Sequence, residues 1–127
     1  QKLHHPGGAL GYRVSCGKAV VAYLTDTEHS GDVLDPNVLN FVKGVDILVM
    51  DANYTPEEYD QGKKGWGHST WQDAVRYART GKVKQLILFH HDRHHEDDFL
   101  DQILVEAQAQ FSNTSLAREG DEYEIDE

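Results

Sequence analysis

The chain has little cysteine and no long apolar run. Its single cysteine, Cys16, cannot form an internal disulfide, so packing and any bound metal must stabilise the fold. Sparse cysteine is typical of a reducing compartment, and we expect a cytoplasmic protein. No segment approaches the roughly 20 apolar residues that a transmembrane helix requires, so we expect no association with a membrane.

Basic residues are also scarce. The chain has 12 Lys and Arg residues against 22 Asp and Glu residues, which gives a formal net charge of −10. Nonspecific affinity for nucleic acid depends on clustered basic residues. We therefore expect nucleic acid to be a disfavoured partner, although a basic patch elsewhere in a larger protein, or bound metal ions, would invert the local field.

The hydrophobic pattern predicts alternating strands and helices within one unit of 127 residues. Residues 9–15 and 19–25 indicate a hairpin, and 46–50 indicates a buried strand. Apolar spacing and capping signals favour three helices, over 36–42, 71–80 and 97–111, and a short helical turn that begins near Thr55. The predicted class is α/β (α+β), with a mixed sheet covered by helices on one face.

Two polar residues lie where apolar runs end. Asp26 follows the run 19–25, and His90 follows the run 86–89. Open α/β sheets place their ligand sites at strand ends. Carboxylate and imidazole are ligands of zinc-like ions in sites that keep a position open for water. Together with His5 and His68, which only folding could bring close to them, these residues predict a metal site.

Four segments carry a resemblance to a known family. They are HPGGALGYR at 5–13, TDT at 25–27, GHST at 67–70 and LILFH at 86–90. In this order they resemble the second half of a metallo-β-lactamase-fold hydrolase. The branch that they resemble most contains the tRNA 3′-processing endonuclease RNase Z and a cyclic phosphodiesterase.

The resemblance implies a site for two divalent metal ions in the intact protein, zinc first, with manganese or iron as alternatives. By the motif match, His5 would be a ligand of the first metal, Asp26 would bridge the two, and His90 would be a ligand of the second. His68 of the GHST segment would be a catalytic proton donor or phosphate contact. Asp51 stands where the RNase Z branch carries a Glu, and we expect it to orient His68 or a ligand imidazole.

The implied activity is hydrolysis of a phosphodiester by a metal-bound hydroxide. The acidic charge and the lack of a long tRNA-gripping arm between Asp26 and His68 favour a small phosphodiester substrate. Three alternatives stay open. They are a noncatalytic half-domain or swapped dimer that binds a partner, an RNA-processing endonuclease, and a thioester or lactone hydrolase of the same superfamily.

One family signature is missing from the sequence. The pattern His-x-His-x-Asp-His, which supplies the other metal ligands, does not occur. We therefore expect residues 1–127 to be the C-terminal half of an αββα sandwich, needing its N-terminal half or a homodimer partner. This chain alone would bind one metal ion or none. The resemblance also implies that residues 116–120 and 122–125 form the closing strand.

Each candidate has a simpler reading when its local sequence is considered alone. His5 could be a surface residue, as we expect for His4, and His68 could be a loop residue without a functional role. Asp26 could cap a turn and Asp51 could be purely structural, because Asp accepts hydrogen bonds from nearby backbone N–H groups. A further acidic and histidine-rich stretch, 91–98, is expected to be a solvated loop that leads into a helix.

Overall fold

The computed structural model describes residues 1–3, 5–29, 33–92 and 94–125. Its centre is a five-stranded sheet with strands in the order β3-β4-β5-β6-β7, beside a separate two-stranded ribbon of β1 and β2. The strands are β1 Lys2–Leu3, β2 Ala9–Leu10, β3 Tyr12–Cys16, β4 Ala19–Leu24, β5 Ile47–Asp51, β6 Gln85–Phe89 and β7 Thr114–Leu116.

The main sheet is mixed. The hairpin β3-β4 is antiparallel, whereas β4, β5, β6 and β7 run parallel to one another. Parallel neighbours require crossover connections, which the helices between these strands supply. As a consequence, the carboxyl ends of β4, β5 and β6 meet at one edge of the sheet.

Helices connect the parallel strands. They are α1 Pro36–Val42, α2 Pro56–Glu58, α3 Trp71–Gly81 and α4 Asp97–Gln110, and a π-helical turn, Tyr59–Lys63, follows α2. Both α2 and α3 begin with capping boxes, formed by Thr55 with Glu58 and by Thr70 with Asp73. These reciprocal bonds satisfy backbone N–H groups that have no partner inside the helix. No helix of the described ranges is long and apolar enough to cross a membrane.

The core lies between the helices and one face of the main sheet. Its buried side chains come from alternate strand positions and from α1, α3 and α4, and include Ala22, Leu24, Val42, Leu48, Met50, Val75, Tyr77, Leu86, Leu88, Ile103 and Ala107. The alternation is the period-2 pattern of a strand with one buried face. The predicted mixed sheet with helices on one face is confirmed.

The opposite face of the sheet is apolar and partly open. Tyr12 and Val14 on β3 are 57% and 59% exposed, and Tyr23 on β4 is 40% exposed. On β5 and β6 the same face continues with Ile47 and Ile87, which are buried. Adjacent exposed apolar side chains of this kind mark a surface that can bind a partner.

Two strand predictions need correction. Residues 9–15 do not form one strand, because the strand is interrupted at Gly11 and Ala9–Leu10 pairs with Lys2–Leu3 instead. A side chain at Gly11 would press against Leu24 and Leu3 at 3.2 and 3.3 Å, so the backbone passes close to the core there.

The closing strand lies earlier than predicted. β7 spans Thr114–Leu116, and residues 117–125 contain no strand. Thr114 and Leu116 are buried beside β6, whereas residues 119–122 are exposed. Burial of an alternating pair, rather than the apolar character of Tyr123 and Ile125, determines where this strand lies. The prediction for His4 lies outside the described residues.

We predict that the 127-residue chain self-associates through the open sheet face. Replacing Tyr12 and Tyr23 by Ser should shift sedimentation toward monomer, because it removes exposed apolar area. The control is the replacement by Ser of Val105, an apolar residue on α4 that is 62% exposed. A wild-type chain that sediments as a monomer at all concentrations would contradict the prediction.

Candidate metal centre

Three side chains converge because of the parallel strands. Leu24, Met50 and Leu88 pair across β4, β5 and β6, so these strands end at the same level. Asp26 lies two residues beyond Leu24, Asp51 is the last residue of β5, and His90 follows β6 directly. The expectation that strand ends gather the candidate ligands therefore has a structural basis in the register.

Four residues could hold a metal ion together. Asp26, Asp51, His68 and His90 each present one ligand atom, and these atoms lie within 4.8 Å of one another. Two imidazoles and two carboxylates form a donor set that suits zinc and other divalent ions. The residues therefore fit the metal that the resemblance implies, although the grouping differs from the predicted ligand set of His5, Asp26 and His90.

Asp26 is the shared neighbour of three imidazoles. Its Oδ1 atom lies 3.4 Å from Nε2 of His90, 3.9 Å from Nδ1 of His68 and 4.0 Å from Nε2 of His5. His5 thus stands beside the four-residue group, with its ring centroid 5.6 Å from that of His68. A central carboxylate with histidines around it is the arrangement that the predicted bridging role of Asp26 requires.

Both candidate ligands at the strand ends have a strained backbone. Of the described residues, only three other than glycine have positive φ, and two of them are Asp26, at 53°, and His90, at 59°. The third, Lys82, is the C-cap of α3. Non-glycine residues rarely adopt this conformation, and such strain is concentrated at functional sites. The backbone therefore supports a functional reading of both residues, independently of their side chains.

The carboxylate of Asp51 is fully buried and saturated with donors. It accepts hydrogen bonds from the backbone N–H groups of Thr27, Asn53 and Ser69 at 3.2 to 3.3 Å. Its Oδ2 atom also lies 2.8 Å from Nδ1 of His68. The structure thus places Asp51 where it can orient His68.

His68 precedes α3 and is mostly enclosed. Its ring stacks on that of His90, with centroids 4.7 Å apart. The hydrogen bond to Asp51 raises the pKa of His68, and this effect outweighs the burial that would lower it. Because Asp51 engages Nδ1, the other ring nitrogen, Nε2, is the one available to a ligand or substrate.

Sequence reasoning missed a partner of His90. The side-chain amide of Asn53 donates to the backbone carbonyl of His90 at 2.8 Å and lies 3.1 Å from its Nδ1 atom. A contact of this kind fixes the orientation of a ligand imidazole. The available signal was the position of Asn53 just beyond β5, in the same segment as Asp51.

The imidazole of His5 is packed against a glycine. Gly67 has φ of 93°, and a Cβ atom at this position would overlap the His5 ring and lie 2.7 Å from Cδ of Pro6. The Nδ1 atom of His5 also accepts a hydrogen bond from the N–H of Gly7 at 3.3 Å. Only glycine at position 67 leaves His5 in this place.

Two histidines of the stretch after His90, His91 and His95, are less exposed than predicted, whereas His94 and residues 96–98 are exposed. The side chain of His95 is 4% exposed, and its Nε2 lies 2.9 Å from Oε1 of Glu58. Burial lowers the pKa of His91, and the nearby His95 adds to this effect. Among the described residues neither histidine joins a metal-binding group, so His90 alone of this stretch reaches the candidate centre.

A cavity of about 410 Å³ reaches His5 and Thr27, although none of the four residues of the candidate metal group lines it. Its walls include His5, Glu28, His29, Met50, Gly67 and Tyr77. His29 is buried, and its Nδ1 lies 2.9 Å from the hydroxyl of Tyr77. The cavity is large enough for a compact organic molecule.

The fold and the site together define an α/β domain with a candidate metal centre at its strand ends. The sequence profile of the β-lactamase superfamily domain matches residues 1–91. This chain therefore belongs to that superfamily, and the resemblance stated from its motifs is confirmed.

Similar proteins include ribonuclease Z of Phocaeicola vulgatus, which is 37% identical over 98 residues, or 77% of this chain and 29% of the relative. Ribonuclease Z of Brevibacillus brevis is 36% identical over 101 residues, or 76% of this chain and 30% of the relative. The chain thus spans less than a third of the length of these relatives.

Two solved structures share the fold. The metallo-β-lactamase fold protein YhfI from Bacillus subtilis gives a TM-score of 0.76 at 23% identity, covering 98% of this chain and 48% of that one. The short form of human tRNase Z gives a TM-score of 0.63 at 20% identity, covering 92% of this chain and 38% of that one. These likenesses confirm the predicted metallo-β-lactamase fold.

The positive φ of His90 predicts an unusual order of stabilities. In the metal-free protein, His90→Gly should be more stable than His90→Ala by about 1 kcal/mol, because glycine adopts this backbone conformation without a steric penalty. The free energies of unfolding from urea titrations measure the difference. Equal stabilities would show that the backbone at position 90 is not strained.

The packing of His5 on Gly67 predicts that Gly67→Ala weakens metal binding. The added methyl group must displace the His5 ring, so an ion held by His5 should bind less tightly in a zinc titration. Gly65→Ala is the matched control, because Gly65 has a similar φ of 87° but open space at its Cβ position. If both variants bind zinc equally, His5 does not contribute to the centre.

Proposed function

We propose that the full-length protein is a metal-dependent phosphodiester hydrolase. The observation that carries the proposal is the pair formed by His68 and the buried Asp51, within ligand distance of Asp26 and His90. An oriented imidazole beside a candidate metal centre suits hydrolysis that needs both an activated water and a proton donor.

Asp26, His90 and His5 would hold the metal ions. When bound, divalent ions would supply the Lewis acidity that activates water and neutralises charge on the phosphate, and zinc is the first candidate. We assign His68 to protonation of the leaving oxygen through Nε2. Asp51 keeps the ring in place, and its hydrogen bond raises the pKa of His68.

The first candidate substrate is a compact phosphodiester. The cavity next to His5, of about 410 Å³, is large enough for a small molecule, and the net charge of −10 disfavours a long polyanion. A phosphate group would be attracted only to the metal centre, because bound metal ions would make the electrostatic potential there positive.

The second candidate substrate is RNA. It is favoured by the relatives named ribonuclease Z, which are 32% to 37% identical to this chain. Next to His68 the chain also carries Lys63 over the ring of the exposed Trp66, at 3.8 Å from its centroid. An exposed aromatic ring beside basic side chains can stack on a base. An RNA substrate would contradict the expectation from the net charge that nucleic acid is a disfavoured partner.

Hydrolysis by the purified full-length protein with zinc or manganese tests the proposal. We predict turnover of bis(p-nitrophenyl) phosphate, its loss after chelation, and its loss in Asp26→Asn. His68→Ala should lower kcat by about 10²- to 10⁴-fold on a diester whose leaving group must be protonated. Asp60→Asn, an exposed acid outside the centre, is the control and should keep wild-type rates.

A substrate panel separates the remaining alternatives. Cyclic nucleotides, an RNA with a 3′ extension, a thioester and a lactone are compared at equal enzyme concentration. Preference for the cyclic nucleotide or for the RNA decides between the two candidates. Turnover of the thioester or lactone alone would overturn the phosphodiesterase proposal, and a metal-loaded protein that hydrolyses none of them would favour the noncatalytic partner-binding alternative.

A further inference from the structure

Glu28 accepts three hydrogen bonds from one distant segment. Its carboxylate lies 2.8 Å from the N–H of Gly67, 3.0 Å from the N–H of Gly65 and 2.7 Å from the hydroxyl of Tyr59. Glu28 itself belongs to the loop that leaves β4, two residues after Asp26. One side chain therefore connects the loop of the candidate bridging ligand to the segment that leads into His68.

The segment that Glu28 binds, residues 59–67, has little regular secondary structure. It consists of the π-helical turn Tyr59–Lys63 and the glycines that follow. Gly65 and Gly67 have φ of 87° and 93°, and the N–H of Trp66 donates to the carbonyl of Lys63 to close a turn over residues 63–66. Glycine has the largest conformational freedom of any residue, so this segment depends on outside contacts to keep one conformation.

The fixed segment determines where two site residues lie. Gly67 directly precedes His68, and the ring of His5 packs against Gly67. If Gly67 moved, His68 would lose its alignment with Asp51, to which it is bonded at 2.8 Å. Glu28 contacts neither His68 nor the four-residue group at bonding distance, so any effect it has must pass through the segment.

We infer that Glu28 is a positioning residue that fixes the Gly65–Gly67 segment and thereby holds His68 in its proton-donating place. The inference rests on the proposed function. A direct catalytic role is disfavoured because both carboxylate oxygens already accept hydrogen bonds from this segment. Among the described residues Glu28 is also outside the group that could hold a metal ion.

Kinetics of Glu28→Ala in the full-length protein test the inference. We expect kcat to fall by about 10- to 100-fold on a diester with a poor leaving group, as for other residues that orient an active-site group. The fall should be much smaller on bis(p-nitrophenyl) phosphate, whose leaving group departs readily without a proton. Zinc content at saturating zinc should be unchanged, because Asp26 and His90 are not held by this segment. Glu106→Ala removes the same charge from an exposed position on α4, outside the segment, and serves as the control.

A double-substitution cycle separates positioning from general destabilisation. In a His68→Ala background, Glu28→Ala should cause no further loss of kcat, because the residue through which it acts is already gone. Glu28→Gln should recover part of the activity, since its amide oxygen can still accept from Gly67. Additive losses, or a loss equal for both leaving groups, would overturn the inference.

Hydrogen exchange gives a readout that does not depend on activity. Removing the acceptor should raise the exchange rates of the Gly65 and Gly67 amides in Glu28→Ala but not in Glu106→Ala. Unchanged exchange would contradict the inference even in an active enzyme. If the wild-type protein hydrolyses no phosphodiester, the proposed function fails, and the exchange result still decides whether Glu28 fixes the segment.

Discussion

The buried carboxylate of Asp51 is the interaction on which the site depends. It binds the N–H groups of Thr27, Asn53 and Ser69 and the imidazole of His68, and so joins the ends of β4 and β5 to the start of α3. A buried carboxylate is costly unless donors surround it. These segments must therefore converge, which brings Asp26 and His68 together, and Asn53 next to Asp51 holds His90 beside them.

Much of the fold and part of the site could be predicted from the sequence. Apolar runs with period-2 burial locate β4, β5 and β6, and capping residues such as Thr70 mark where helices begin. Because parallel strands end at a common edge, polar residues just beyond them, Asp26 and His90, had to lie near each other. The assignment of roles to His5 and His68 needed the family resemblance, since nothing in their local sequence distinguishes them from loop residues.

Other features arise only from tertiary packing. Asn53 contacts His90, and Glu28 accepts three hydrogen bonds. These contacts join residues 31 to 39 positions apart, and no local sequence pattern encodes them. His95 looks solvated in sequence but is buried through its bond to Glu58. The closing strand was misplaced because its burial beside β6, not its composition, defines it.

The most direct measurement is the anomalous diffraction of zinc in crystals of the full-length protein. The account predicts a zinc peak within bonding distance of the carboxylate of Asp26 and the imidazole of His90, with His68 still hydrogen-bonded to Asp51. Zinc bound elsewhere on the chain, with Asp26 and His90 pointing away from each other, would contradict it.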